Sequence, residues 1–431
     1  MTMGDCCVES LDVSLWQLVC CLSEASDAMK PEVGAHQLRV GYIAARLAVQ
    51  LGVEESARHD LIMAALLHDV GVFSLQERNE VSRFDYVEGI VPHAVAGYSL
   101  LKDVALFSRV APLVLYHHLP WSRRATVSGL TPDVAQLANL IYLADRIDIL
   151  IDYRRDPLCQ KTQILDQIAA SCDALFAAES VAALAEIASH EQFWFDLSAG
   201  HFSAALESCA PATRIGQFSQ LKEIAQLFCR VVDFRSRYTA VHSCAVATCA
   251  TGLARAMGMS EEECQWMELA GYLHDIGKIA VPKEILDKPE TLNEQEFAVI
   301  KRHPYTAYHL LKRIAPLEKV TSWICCHHEC PSGQGYPFGY DDAQLSLGAR
   351  IVAVADVFAA LGEPRPYRDL LDYRRSKEIL DLKVTRQQLD AEIVALLLSD
   401  YYRFFDANAE ARRVAQKNYS LFDQQLRWML V

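Results

Sequence analysis

Apolar residues recur at intervals of three and four through residues 38–51, 221–232 and 392–402, the spacing that lines one face of an α-helix. Alternation at every second residue is scarce, so the pattern predicts an all-α chain. Gly71 and Gly277 read as helix stops, and Pro282, Pro289, Pro304, Pro316 and Pro337 punctuate the second half, since neither residue type continues a helix well. Residues 198–216 carry two Gly and one Pro in Ala-rich surroundings and are the expected junction between domains at 1–205 and 206–431. That junction is short, which predicts that the two domains pack together or share a helix. Residues 401–431 have aromatic and charged positions at helical spacing and predict a closing or dimerising helix, with a homodimer as one outcome.

Histidine positions expose an internal repeat. His36, His68-Asp69, His93, His117-His118 and Asp145 recur as His242, His274-Asp275, His303, His327-His328 and Asp356. The offset is 206 for the first three positions, 210 for the next three and 211 for the last. Neighbouring text agrees: ALLHDVG at 65–71 answers GYLHDIG at 271–277, YLADRIDIL at 142–150 answers AVADVFAAL at 353–361, and Asp27 answers Asp233. The chain therefore predicts two homologous helical domains of about 200 residues each, an ordinary domain size.

Composition narrows the function. Of 431 residues, 52% are hydrophobic and 22% charged, which is globular and excludes a disordered chain. Formal charge is −14, so diffuse attraction to a nucleic-acid polymer or an anionic membrane is not expected; a phosphate ligand has to be met locally. The most apolar stretch, residues 345–361, contains Arg350 and Asp356 and does not read as membrane-spanning. Residues 1–10 carry Asp5 and Glu9 with no basic stretch before an apolar one, unlike a secretory signal. The 14 cysteines lie as adjacent pairs or scattered, with no Cys-x-x-Cys. They predict buried free thiols in a reducing cytoplasm rather than a disulfide framework or a Cys-type zinc site.

A single buried His is commonplace, but ten of the 14 histidines fall in the repeated pattern, and packing alone gives no reason for imidazole at equivalent places. Metal coordination does: neutral imidazole and carboxylate suit borderline divalent cations, and the absence of Cys favours an open hydrolytic site holding Fe, Mn or a similar ion over structural zinc. A carboxylate beside His can bridge two ions about 3.5–4 Å apart, the spacing at which two metals activate water and clamp the oxygens of a phosphoryl centre.

The second half resembles the HD-GYP family of cyclic-dinucleotide phosphodiesterases, a branch of the HD superfamily of helical metal-dependent phosphohydrolases. The matching residues are Tyr238-Thr239 with His242-Ser243, His274-Asp275-Ile276-Gly277-Lys278, Ile285-Leu286 with Lys288-Pro289, His303-Pro304, His327-His328-Glu329, Gly335-Tyr336-Pro337, Asp356 and Arg365-Pro366-Tyr367-Arg368. The resemblance implies tandem HD-type helical domains, the second with the Gly-Tyr-Pro loop. It implies two divalent ions per active site, Fe or Mn foremost, with Mg, Ni or Co as alternatives. One ion would be held by His242, His274, Asp275 and Asp356 and the other by Asp275, His303, His327 and His328, with His274, Asp275 and Lys278 as the catalytic centre. Lys278 would contact the scissile phosphate, and Arg365 and Arg368, with Tyr336 in the loop, would bind the rest of the substrate.

This chain departs from the family in three places. Cys330, Pro331 and Ser332 replace the usual Arg, aromatic and Asp; Ala359 replaces an Asp; and Tyr238 stands where some members carry a Glu that supports a third metal. The resemblance therefore implies two metals and leaves cyclic di-GMP and 3′3′-cyclic GMP-AMP both open as substrate. The first half keeps all seven ligand positions but has Val72 for Lys278, lacks the Gly-Tyr-Pro loop, and keeps only Arg154 of the Arg pair. It reads either as a regulatory or dimerising domain or as a phosphomonoesterase, a 5′-nucleotidase acting on the linear product. Two further functions compete for the whole chain, an HD-type nucleotide hydrolase and a scaffold of inactive HD domains.

Overall fold

The structure, a computed structural model, describes residues 11–28, 34–74, 77, 79, 80, 91–198, 200–235, 241–363 and 372–429. In the first half the helices are α1 Leu15–Asp27, α2 His36–Gln50, α3 Glu55–Leu67, α4 Pro92–Leu101, α5 Ala111–Tyr116, α6 Pro132–Leu150, α7 Lys161–Ala169, α8 Ala178–Ser189, α9 Glu191–Ser198 and α10 Phe202–Ser208. The second half continues with α11 Phe218–Asp233, α12 His242–Ala256, α13 Glu261–Leu273, α14 Lys283–Leu286, α15 Glu294–Ile300, α16 His303–Leu311, α17 Glu318–Ile324, α18 Leu347–Leu361, α19 Tyr373–Thr385, α20 Ala391–Ser399 and α21 Tyr401–Met429. Among the described residues the only ladder is β1 Val13–Ser14 against β2 Arg214–Ile215, antiparallel, with Val13 opposite Ile215. No described helix is long and apolar enough to cross a membrane.

The repeat in sequence is a repeat in structure. Helices α2 and α12 each run 15 residues and begin on a repeat histidine; α3 and α13 each run 13 and are capped by the next one, His68 or His274. Local chemistry fixes these ends. Ser260 and Glu263 form a reciprocal capping box on α13, Thr131 caps α6 ahead of Pro132, and Ser346 caps α18; each cap satisfies amide donors that a first turn leaves open. Helix α11 is amphipathic, burying Leu221, Ile224, Leu227, Phe228 and Val231 on one face. The apolar core is continuous across both halves, from Val13 to Phe422.

Gly71 and Gly277 do not end the helices. Helices α3 and α13 stop four residues earlier, at Leu67 and Leu273, and neither glycine has positive φ. A Cβ on Gly71 would stand 2.1 Å from the carbonyl oxygen of His93, and one on Gly277 would stand 1.9 Å from that of His303. The glycines let the start of the next ligand helix press against the His-Asp turn. Periodicity over 392–402 also spans two helices, because the chain breaks at Asp400 between α20 and α21.

The segment expected as a junction holds α10 and β2. Leu206 of α10 packs within van der Waals reach of Gly41 on α2, and Arg214 pairs with Asp12, Nε to Oδ1 2.5 Å. Helix α21 closes the molecule: Phe404 meets Gly252 of α12, and Phe422 lies between Phe73 of the first half and Phe234 of the second, with ring centroids 6.0 and 4.9 Å away. Buried Arg235 ties the halves together as well. It donates to the carbonyls of Phe73 (3.2 Å), Lys278 (3.1 Å) and Val281 (3.1 Å), and to that of Ile279.

Candidate metal centres

Five of the candidate imidazoles are aimed by the backbone of their own segment. The Nδ1–H groups of His274, His303 and His327 donate to the carbonyls three residues back, Gly271 (2.8 Å), Ile300 (2.8 Å) and Ile324 (2.5 Å). This fixes the tautomer and turns Nε2 inward, as metal-ligating histidines require. His68 and His117 repeat the arrangement with Ala65 (2.7 Å) and Val114 (2.6 Å).

In the second half the seven candidates converge. Asp275 lies between two groups, its Oδ2 3.2 Å from His274 Nε2 and its Oδ1 3.3 Å from His303 Nε2. His242 Nε2 is 3.0 Å from Asp356 Oδ1, and His303 and His327 face each other Nε2 to Nε2 at 3.3 Å. Ligand atoms of His242, His274 and Asp356 fall within 4.8 Å of one another, as do those of His303, His327 and His328. The first half has the same plan: Asp69 Oδ1 is 3.4 Å from His93 Nε2, its Oδ2 is 3.4 Å from His68 Nε2, and His36 Nε2 is 3.4 Å from Asp145 Oδ1. His93, His117 and His118 form the second group there.

These donor sets fit divalent metals. His274 Nε2, Asp275 Oδ1 and His68 Nε2 are buried without hydrogen-bond partners, an arrangement that costs stability unless a ligand completes it. Burial pushes His303 down to about 3 and His327 to about 4, and in the first half His93 to about 4 and His117 to about 3. All four are therefore neutral, the form that coordinates. Burial opposes the charge on Asp275, but His274 and Lys278 outweigh it and hold the carboxyl well below the usual range.

Charge is balanced differently in the two halves. Lys278 stands on a short 3₁₀ turn, Ile276–Ala280, with Nζ 2.5 Å from Asp275 Oδ2. In the first half Val72 is buried at the matching position. There the cation is Arg146, fully buried, with Nη2 2.5 Å from Asp145 Oδ2; its counterpart is Val357. Exposure differs too: all seven first-half candidates are buried, whereas His328, Asp356 and Lys278 are partly open. Arg154 is exposed and pairs with Asp152. Arg365, Arg368 and Tyr238 lie outside the described residues.

Three further residues shape the centres. His36 Nδ1 meets Asp148 Oδ2 at 2.7 Å, and Asp148 is in turn held by Arg39 (Nε to Oδ1, 2.6 Å) and by the Tyr153 hydroxyl (2.5 Å). In the second half the position of Asp148 is Ala359 and that of Arg39 is Ala245. The carboxylate comes instead from Glu363, 2.8 Å from His242 Nδ1, with Arg412 of α21 packed beside it against Gly362. Asp148 stands three residues after the candidate Asp145 on α6, one turn along the same face, a signal the sequence carried, whereas Glu363 lies just past the end of α18 at Leu361. The third residue is Glu329, which accepts from the amides of Phe338 (2.6 Å), Gly339 (3.1 Å) and Tyr340 (3.2 Å). It thereby wraps the Gly335-Tyr336-Pro337 loop around itself; a Cβ on Gly335 would stand 2.3 Å from Glu329 Cα. The loop carries Tyr336 to 5.0 Å from the His328 ring.

Sequence comparison agrees with this geometry. The HD domain family matches residues 33–150 and, in a second version, residues 221–393. A 3′3′-cGAMP-specific phosphodiesterase of Vibrio cholerae is 31% identical over 405 residues, 91% of this chain and 93% of that protein. The chain belongs to the HD-GYP family. A cyclic di-GMP phosphodiesterase of Pseudomonas aeruginosa is 42% identical to this HD-GYP chain over 132 residues, covering 30% of it and 32% of that protein. The crystal structure of a second cyclic GMP-AMP phosphodiesterase of Vibrio cholerae superposes with a TM-score of 0.61 at 22% identity, over 93% of this chain and 98% of that one, which is a likeness of fold. Of the described cysteines none is in a disulfide.

Proposed function

We propose that the second half hydrolyses a cyclic dinucleotide, 3′3′-cyclic GMP-AMP before cyclic di-GMP, to the linear dinucleotide bearing a 5′ phosphate. The observation that carries this is Asp275, one carboxylate with an oxygen toward each of two histidine groups and Lys278 on its outer edge. His242, His274 and Asp356 would hold one divalent ion and His303, His327 and His328 the other, Fe or Mn, with Asp275 shared. When bound, the ions supply an acidified water and charge for the attacking and leaving oxygens. Lys278 is held protonated by Asp275 and Asp356 against its burial; a phosphate arriving beside it draws the ammonium from Asp275. Tyr336 walls the open side, where a base of the substrate stacks, and Arg365 and Arg368 grip the second phosphate. Preference for the mixed dinucleotide is supported by the length of the alignment: the cGAMP-specific relative spans nearly the whole chain, the cyclic di-GMP relative under a third.

The test is turnover of the two cyclic dinucleotides side by side with Mn or Fe, products resolved by chromatography. Asp275→Ala should lose metal and activity together; continued hydrolysis refutes the assignment.

The complete donor set of the first half supports a second reading, a 5′-nucleotidase that removes the product's phosphate, with Arg146 as the cation beside Asp145. Phosphate release from the linear dinucleotide should vanish in the His68→Ala, Asp69→Ala double variant; unchanged release excludes it. Free thiols support action in the cytoplasm.

A further inference from the structure

Where the two halves meet, a cavity of about 450 Å³ opens between the turn at Asp103 and Val104 of the first half and helices α11, α12, α13 and α21. That is within the size range of small-molecule sites, roughly 300–1,000 Å³. Arg230 lines it, with a buried Nε that has no hydrogen-bond partner, and no ion pair holds its guanidinium among the described residues. Asp103 and Glu223 line the same cavity, and both are exposed, toward its mouth. Asp103 acts on this guanidinium through space without closing an ion pair, so the buried Nε keeps an open donor that a ligand could fill.

The remaining lining describes the missing partner. Tyr272 offers a ring whose hydroxyl accepts from Gln226 Nε2 at 3.2 Å. The two rim carboxylates repel a polyanion and accept hydrogen bonds from a donor-rich group. One anionic end for Arg230, a flat body for Tyr272 and amino or ring N–H donors for the rim together describe a purine nucleoside monophosphate. We propose that the cavity binds one, at a site separate from both metal centres and whatever their substrates.

The floor shows how occupancy would be felt. It includes Cys229 and Asp233. Asp233 accepts from Ser243 N (3.3 Å) and Ser243 Oγ (3.0 Å) in the first turn of α12, the turn that begins with His242. A ligand on this floor therefore bears on the helix that aims one imidazole of the second-half centre, while its other wall belongs to the first half.

Cys244 also lines the cavity, which makes a footprint possible on the intact metal-loaded protein. GMP, AMP and orthophosphate are tested for protection of Cys244 from maleimide, read peptide by peptide in a mass spectrometer. GMP or AMP should protect Cys244, and Arg230→Met should weaken that protection about tenfold or more, the worth of one charge-assisted hydrogen bond. Arg230→Lys, which keeps the charge if the Met variant fails to fold, should retain part of it. Asp275→Ala, which empties the second-half centre, should still be protected. No protection by GMP or AMP, or equal protection in Arg230→Met, overturns the site. Loss of protection in Asp275→Ala places the nucleotide at the metal centre and overturns it too. Protection by orthophosphate equal to that by GMP overturns the nucleotide assignment.

Discussion

Removing the carboxylate behind His242 tests whether the second half keeps its centre aligned by the relocated residue, Glu363. In Glu363→Ala the imidazole loses a hydrogen bond of 2.8 Å from Nδ1, the contact that fixes which nitrogen faces Asp356, 3.0 Å from Nε2. No neighbour can replace it, because the position used in the first half, three residues after the ligand Asp, is Ala359 and is fully buried. A hydrogen bond to a charged group contributes about 1.5–3 kcal/mol, and partners behind metal-bound histidines typically govern affinity or activity by about 10–100-fold. At 1.4 kcal/mol per factor of ten these ranges agree. Metal titration of the chelated protein should show a 10–100-fold weaker constant for one of two ions, with kcat/KM falling in parallel. Glu363→Gln, which keeps an acceptor without the charge, should fall between. The mirror variant Asp148→Ala should weaken metal binding only in the first half. Unchanged affinity in Glu363→Ala would refute the reasoning, as would equal weakening of both second-half ions.

Gly277→Ala places a methyl 1.9 Å from the His303 carbonyl oxygen, so α16 must retreat by roughly an ångström. Overpacking of this kind costs about 1–3 kcal/mol and a misplacement of that size about 100-fold in rate; a lower melting temperature and lost turnover check it, with Gly71→Ala sparing the second half. Arg235→Met strips the buried carbonyls of Ile279 and Val281 of their donor and cuts the tie to that of Phe73, at about 1–3 kcal/mol for each group orphaned. Urea unfolding should show the loss, and Arg235→Lys should not restore it because one ammonium cannot span the fork. Glu329→Gln weakens the anchor of the Gly-Tyr-Pro loop and should raise KM for the cyclic dinucleotide about tenfold, with kcat changed less.

Much of the site was written along the chain. Metal coordination would constrain residue type at every candidate ligand, and both copies carry His and Asp at nearly constant offsets, with helical periodicity keeping that spacing regular within each element. The all-α fold, the twofold repeat and all fourteen candidate ligands were legible on those grounds. Local sequence also carried Asp148 at helical spacing from Asp145, though what it does, and what Glu363 past the end of its helix does, appears only when His36 and His242, more than a hundred residues away, are seen against them.

What tertiary structure decided is everything set by how helices cross. Gly71 and Gly277 look like punctuation in a string, yet they are contact points between a turn and the next ligand helix. Val72 signals a lost cation until α6 is seen to bring Arg146 to Asp145 in its place. Arg235, Phe422 and the cavity around Arg230 depend on elements from both halves meeting, and neighbours along the chain say nothing about that meeting. The chain by itself specified which atoms can bind metal; the packing of its helices determined where those atoms point, which charges stand behind them and how the two copies touch.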